Sequence, residues 1–245
     1  MMRYLIGIDD TDNLESRGTG YRARMLGSGF QDAGLAVLRG ITRHQLLVSP
    51  VIRYTSHNSS ACLLVDADTG PEPLVDFART FLLRESAPGS DAGLCIAPWE
   101  DVAVTVQDFG ERAKREVLST DEATALACKA HFILEGLTGD GGGVIGSLAA
   151  VGLRAAGNDG RFLWLPGIRD LTGAYTVDEL LGLTGIEVFR TLDGAEIPSA
   201  DIVDLGAWCR PILEDGQAVL LVEPADGQAG YWRVAAKERI KQESE

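Results

Sequence analysis

The chain opens on Tyr4-Leu5-Ile6-Gly7-Ile8, an apolar run that breaks directly into Asp9-Asp10-Thr11-Asp12. A short apolar run bounded in this way predicts a buried strand leading into a loop. In open α/β sheets the carboxyl ends of strands are where ligands bind. Three carboxylates within four residues repel one another, and a low local dielectric enlarges the repulsion. A divalent cation offsets it, and Mg²⁺ is the usual one where carboxylates share coordination with a nucleotide's phosphates. Successive residues of an extended chain point to opposite sides. Asp10 and Asp12 are therefore assigned to the metal, and Asp9 to catalysis as a base or a group behind the ligands. A surface turn cluster is the competing reading, and the adjacent Asn13 fits it.

The elements that follow alternate. Tyr21 to Ala36 reads as a helix, although Gly27 and Gly29 weaken it. Strands are expected over Arg39 to Val48 and Ser60 to Asp66, then a Pro-started helix over Pro71 to Leu83 with Leu74, Phe77, Ala78 and Phe81 on one face. Val102 to Val106 reads as a strand and Thr120 to Gly136 as a helix, with Asp121 and Glu122 in its first turn. Val144 to Ala155 reads as an apolar helix and Arg161 to Leu165 as a strand. The tail alternates short strands with Gly, Asp and Pro turns, as a small β-rich module does. KERIKQESE at the end reads as a solvated tail or a fraying helix. The class is α/β, or α+β.

A second chemical signal is Gly139-Asp140-Gly141-Gly142-Gly143-Val144-Ile145-Gly146-Ser147. Glycines let backbone N–H groups converge on a phosphate, and the helix that follows offers unpaired N–H groups. The stretch could thus cradle an anion such as a phosphate. The alternative is a connector whose glycines serve close packing. Neither a Walker A loop nor a dinucleotide fingerprint is present. Gly18 and Gly20, at the exit of the acidic loop, are expected to add backbone donors. His57, in the polar run His57-Asn58-Ser59-Ser60, is expected to act in catalysis as an acid, a base or a phosphate donor.

Charge shapes the expected partners. Lys and Arg number 22 against 36 Asp and Glu, a net charge of -14. Nucleic-acid binders neutralise phosphates with Lys and Arg, so tRNA is not expected as a partner. Cys62, Cys95, Cys128 and Cys209 are too dispersed for a CxxC zinc site. No apolar run reaches the length of a membrane span and no signal peptide opens the chain, so a cytoplasmic protein without membrane contact is expected. A homo-oligomer stays open.

Taken together, IGIDDTDN at Ile6 to Asn13, SDAGLCIA at Ser90 to Ala97, VLSTDEATALA at Val117 to Ala127 and GGGVIGSLAAVG at Gly141 to Gly152 resemble, in order and spacing, the archaeal tRNA-isoleucine agmatinylcytidine synthetase (TiaS) family. The resemblance runs over about residues 3 to 190. It implies a kinase-like nucleotide-binding domain over 1–115 and a ferredoxin-like domain over 116–190; the strand and turn pattern of the tail makes the remainder, 191–245, a β-rich appendage. It also implies ATP and Mg²⁺ as cofactors, with Asp9, Asp10 and Asp12 matching the acidic motif and Gly141, Gly143 and Gly146, which match the Gly-rich segment, expected to bind the nucleotide. Two departures stand out. Thr55 to Ser60 replaces a Gly-rich stretch, and the basic residue expected in the Gly-rich loop is replaced by Asp140 and glycines. With a single Cys after residue 190, a four-ligand zinc ribbon has no room there. The resulting expectation is an ATP-dependent kinase or ligase that transfers a phosphoryl or nucleotidyl group to a small-molecule acceptor. The alternatives are a non-catalytic nucleotide sensor or interaction module, and a tRNA-modifying ligase whose RNA is held by a partner.

Overall fold

A computed structural model describes residues 1–55, 57–225 and 228–244. The chain forms two compact units, Met1–Ala156 and Gly157–Glu245.

In the first unit the elements run β1 (Met2–Asp9), α1 (Thr19–Asp32), β2 (Val37–Gln45), β3 (Ser59–Ala67), α2 (Glu72–Glu85), β4 (Gly93–Pro98), α3 (Val104–Ala113), α4 (Thr120–Lys129), β5 (Ile133–Gly136) and α5 (Val144–Ala156). The strands lie in the order β5-β4-β1-β3-β2, each antiparallel to its neighbour. The opening apolar run is thus the central strand, and Gly7 pairs with Cys62 on one side and Cys95 on the other. Alternation sends Leu5, Cys62, Leu64, Cys95 and Ala97 to one face, where they share a core with α3, α4 and α5. On the opposite face α1 brings Gly27 against Leu38 and Leu63, and Phe30 stacks on Phe77 of α2 at 5.2 Å.

Helix α5 is buried from Gly146 to Arg154 and apolar but for Ser147 and Arg154, as suits a central helix. It lies on β1 and β4 with backbone against backbone. A Cβ on Gly7 would stand 1.9 Å from the Ser147 carbonyl oxygen, and one on Gly93 would stand 2.1 Å from the Gly143 carbonyl carbon. No side chain fits at either position.

The second unit contains β6 (Arg161–Trp164), β7 (Ala174–Thr176), α6 (Val177–Leu183), β8 (Val188–Thr191), β9 (Ile202–Asp204), β10 (Ile212–Glu214), β11 (Gln217–Pro224), β12 (Tyr231–Val234) and α7 (Lys237–Ser244). Its sheet runs β6-β10-β11-β12-β9-β7, with β8 parallel to β11. Phe162, Leu180, Phe189, Val203 and Leu220 fill the core, and Thr176 and Glu179 form a capping box on α6. The terminal KERIKQES segment is a helix that buries Ile240.

Three sequence expectations change. The run Val102 to Val106 is not a strand: Val106, Phe109, Gly110 and Ala113 form one buried helical face. Gly110 and Gly152 let that face seat on α5, and packing overrides the β preference of the valines. The helix expected to reach Gly136 stops at Lys129, because the chain turns at His131 (φ 58) and Ile133–Gly136 pairs with β4. The unit boundary at 156/157 also differs from a division at 115. Strand β5 extends the β4 edge, and α4 and α5 share the β1–β4 core, so residues 116–156 pack with 1–115.

If α5 requires bare backbone beneath it, Gly7→Ala lowers stability in urea denaturation by about 3 kcal/mol or more, the severe end of overpacking. Gly34→Ala costs only about 1 kcal/mol, since its φ of 64 is strained but nothing lies within 4 Å. Equal midpoints for the two variants would refute the close-approach argument.

Candidate functional site

Three chain segments meet at the carboxyl end of β1. The first is the acidic loop itself. Strand alternation carries Asp9 to the α5 face, where its carboxylate fills the space a Cβ on Gly146 would need, 1.8 Å from Oδ2. At Asp10 the backbone turns sharply, with φ 45. The Thr11 amide and hydroxyl both donate to Thr19 Oγ1, at 3.3 and 3.1 Å, and Thr19 Oγ1 donates onward to Asp12 Oδ1 at 3.0 Å. Both threonines are buried. The loop is thus a fixed structure.

The second segment joins Ser90-Asp91-Ala92-Gly93 to the Gly-rich turn. Thr138 Oγ1 donates to the Ser90 carbonyl at 2.7 Å and accepts from the Ala92 N–H at 2.8 Å. Asp91 Oδ1 accepts from the Asp140 N–H at 2.9 Å, and the Asp91 carbonyl accepts from the Gly143 N–H at 2.9 Å. The third segment is the stretch between β2 and β3. There Thr55 Oγ1 donates to the Asp12 carbonyl at 3.1 Å, and Arg53 pairs with Asp91 Oδ2 at 3.2 Å.

These segments enclose a cavity of about 320 Å³. Asp9, Asp10, Asp12, Asp91, Glu116 and Asp140 line it, with Arg53 and His57. Leu46, Val51, Ile52, Leu118 and Ile145 add an apolar wall. Burial pushes the Asp9 carboxyl up to about 7, with the charges of Asp10 and Asp12 adding to the rise and the Asp10 N–H opposing it. Asp10 is raised as well, by burial first and then by the charge of Asp91, while the Asp91 N–H and the Arg53 charge pull it back. Acids held in this state favour the arrival of positive charge.

The sequence residues fall into two groups. Asp9, Asp10, Asp12, His57, Gly143 and Gly146 share the cavity wall; His57 is exposed. Gly18 caps α1 and Gly20 lies in its first turn, with Asp12 Oδ2 3.6 Å from where a Gly18 Cβ would be; neither lines the cavity. Gly141 turns at φ 73 behind the wall. The N–H of Gly143 is occupied by Asp91, and the open side of Gly146 by Asp9, so both glycines serve close packing. Asp91, Thr19 and Arg53 were not singled out by the sequence reasoning. An acid placed just before a Gly-led strand was the available signal for Asp91.

Mg²⁺ commonly takes one or two carboxylates together with substrate phosphates. Asp10 and Asp12, on one loop and facing one cavity, suit that donor set. Among the described residues no three His, Cys, Asp or Glu side chains form a metal cage by themselves. Among those residues, too, no helix is long and apolar enough to cross a membrane.

The raised Asp9 gives a pH test. Its folded value of about 7 lies above the ordinary 3.8, so the protonated acid stabilises the fold. That contribution is complete below about pH 4 and is lost as the pH rises to 7. In metal-free buffer Asp9→Asn should raise stability by roughly 1–3 kcal/mol at pH 8 and change little at pH 4. The same shift at both pH values would contradict the assignment.

No family model matches the chain. It is 32% identical over 155 residues to TiaS of Archaeoglobus fulgidus, the 2-agmatinylcytidine synthetase of an isoleucine tRNA, and the match covers 62% of this chain and 36% of that protein. It is 25% identical over 158 residues to an uncharacterised protein of Methanocaldococcus jannaschii, covering 62% of this chain and 50% of the other. The chain thus spans half or less of these relatives' lengths. Among solved structures, the complex of TiaS with isoleucine tRNA and ATP superposes with a TM-score of 0.55 at 28% identity. The complex with the same tRNA, AMPCPP and agmatine gives 0.54 at 28%. Each covers 62% of this chain and 36% of the solved one.

The exclusion of tRNA from net charge is therefore corrected: the relative is named for a tRNA, and these solved neighbours are tRNA complexes. Net charge summed over the whole chain hides where the charge sits. Residues 1–156 carry 14 Lys and Arg against 20 Asp and Glu, and six of those acids line the cavity. Over 62% of its length, this chain is similar in sequence and fold to about a third of TiaS, the tRNA-isoleucine 2-agmatinylcytidine synthetase.

Proposed function

We propose that the acid-lined cavity binds ATP with Mg²⁺ and that the chain works as the ATP-using part of a tRNA-modifying ligase. The observation that carries this reading is the convergence of Asp9, Asp10, Asp12 and Asp91 on one cavity at the end of β1, in a homologue of TiaS. TiaS itself has been solved with ATP and with AMPCPP in tRNA complexes. The small-molecule acceptor expected from the sequence gives way here to a tRNA base.

Asp10 and Asp12 would hold the metal, whose chemistry is to offset negative charge on the phosphates. The bond from Thr19 fixes one oxygen of Asp12 and leaves the other for a ligand. Asp9, with its carboxyl near 7, has the proton affinity a general base needs at neutral pH. The apolar wall of Leu46, Ile52 and Leu118 suits a flat base or an alkyl chain. An acidic cavity also attracts a cationic amine, and agmatine is the amine in one TiaS complex.

Calorimetry with Mg²⁺ and ATP tests the binding half. Asp10→Asn and Asp12→Asn should each weaken binding about tenfold or more while the thermal midpoint holds or rises, because one crowded charge is removed. Unchanged affinity in both variants would remove the acidic loop from the site. For the chemical half, incubation with tRNA, ATP and agmatine should consume ATP in an RNA-dependent way and leave the amine on the RNA. ATP consumption indifferent to RNA, with unmodified RNA, would defeat the ligase reading.

A further inference from the structure

The Gly-rich turn at 139–143 faces a site meant for polyphosphate, yet it carries an acid, Asp140, and no base. We propose that Arg53 is the phosphate-binding cation of this cavity, brought in from the stretch between β2 and β3 to supply the charge that the turn lacks. The proposal rests on the ATP reading above and names a residue that neither the acidic motif nor the Gly-rich motif contains.

The geometry supports it in three ways. Arg53 is the single Lys or Arg among the described residues lining the cavity. Its guanidinium pairs with Asp91 Oδ2 at 3.2 Å and donates to the Gly89 carbonyl at 3.1 Å. The other oxygen of Asp91 accepts from the Asp140 N–H, so one carboxylate links Arg53 directly to the Gly-rich turn. The stretch is also held in place: Thr55, two residues on, donates to the Asp12 carbonyl, and Asn58 Nδ2 donates to the Leu47 carbonyl at 2.7 Å. The side chain is 70% exposed, so its pairing with Asp91 is screened and exchanges easily for a phosphate oxygen.

Chemistry favours the exchange. A polyphosphate entering a cavity with six acids meets repulsion that two metal charges do not cancel. A planar guanidinium offers paired N–H donors that match two phosphate oxygens. Tied through Asp91 to the Gly-rich turn, it would grip the distal phosphates rather than the nucleoside.

The test is calorimetry on the full chain in Mg²⁺ buffer with three probes: ATP, AMP and inorganic tripolyphosphate. Arg53→Gln should weaken ATP and tripolyphosphate about tenfold or more, the size of a lost charge-assisted hydrogen bond, and AMP by far less. Arg53→Lys should recover part of the loss, and both variants should match the parent's thermal midpoint, since an exposed ion pair adds little stability. Undiminished affinity of Arg53→Gln for ATP and tripolyphosphate overturns the proposal. An equal loss for ATP and AMP also overturns it, because that pattern marks a structural defect. Binding of tripolyphosphate but not ATP by the parent would refute the nucleotide reading and leave Arg53 to be judged on tripolyphosphate alone. Binding of neither refutes both.

Discussion

The site depends on how closely helix α5 approaches strands β1 and β4. Where most helices meet a sheet through side chains, here the carbonyl of Ser147 and the backbone of Gly143 sit where Cβ atoms of Gly7 and Gly93 would be. The contact brings the first turn of α5 level with the strand ends, so that Asp9 lies over Gly146 and Asp91 bonds Gly143. Dispersion over such an interface is large only when no gap remains, which is why small residues recur on both sides of it. The glycines that look like a phosphate loop in the sequence are first of all the condition for this contact.

Much of the acidic cluster is steadied by neutral donors rather than by cations. Asp12 is held through Thr19 and Thr55, and Asp10 receives the Asp91 N–H. Hydroxyls and amides fix geometry without cancelling charge, so the repulsion among the acids persists and shows as the raised carboxyls of Asp9 and Asp10. A fold that keeps such tension at a strand end gives up some stability at that point.

The central strand, the helices α1, α2 and α5 and the acidic loop were legible in the sequence because each is set by local pattern: an apolar run, a helical stripe, a cluster of like charges. What escaped depends on partners distant in the chain. Val104 and Val106 prefer strands locally, and only the groove on α5 makes them helical. Ile133–Gly136 continues a helical stripe by composition, and only the β4 edge makes it a strand. Asp91 and Arg53 are 38 residues apart, and their pairing across the cavity leaves no periodic trace. Net charge misled for a related reason. It averages over the chain, whereas the acids that matter are gathered at one place and leave the rest of the first unit close to balance.

The left-handed turn at Asp10 has a consequence for which residues that position can admit. A φ of 45 is tolerated by glycine and, among residues with side chains, best by asparagine, aspartate and histidine; β-branched or bulky residues are strained there. Sterics alone therefore reduces the favoured alphabet to about four letters. Of these, aspartate alone carries a full negative charge, so two unrelated filters, backbone shape and charge, converge on a single amino acid.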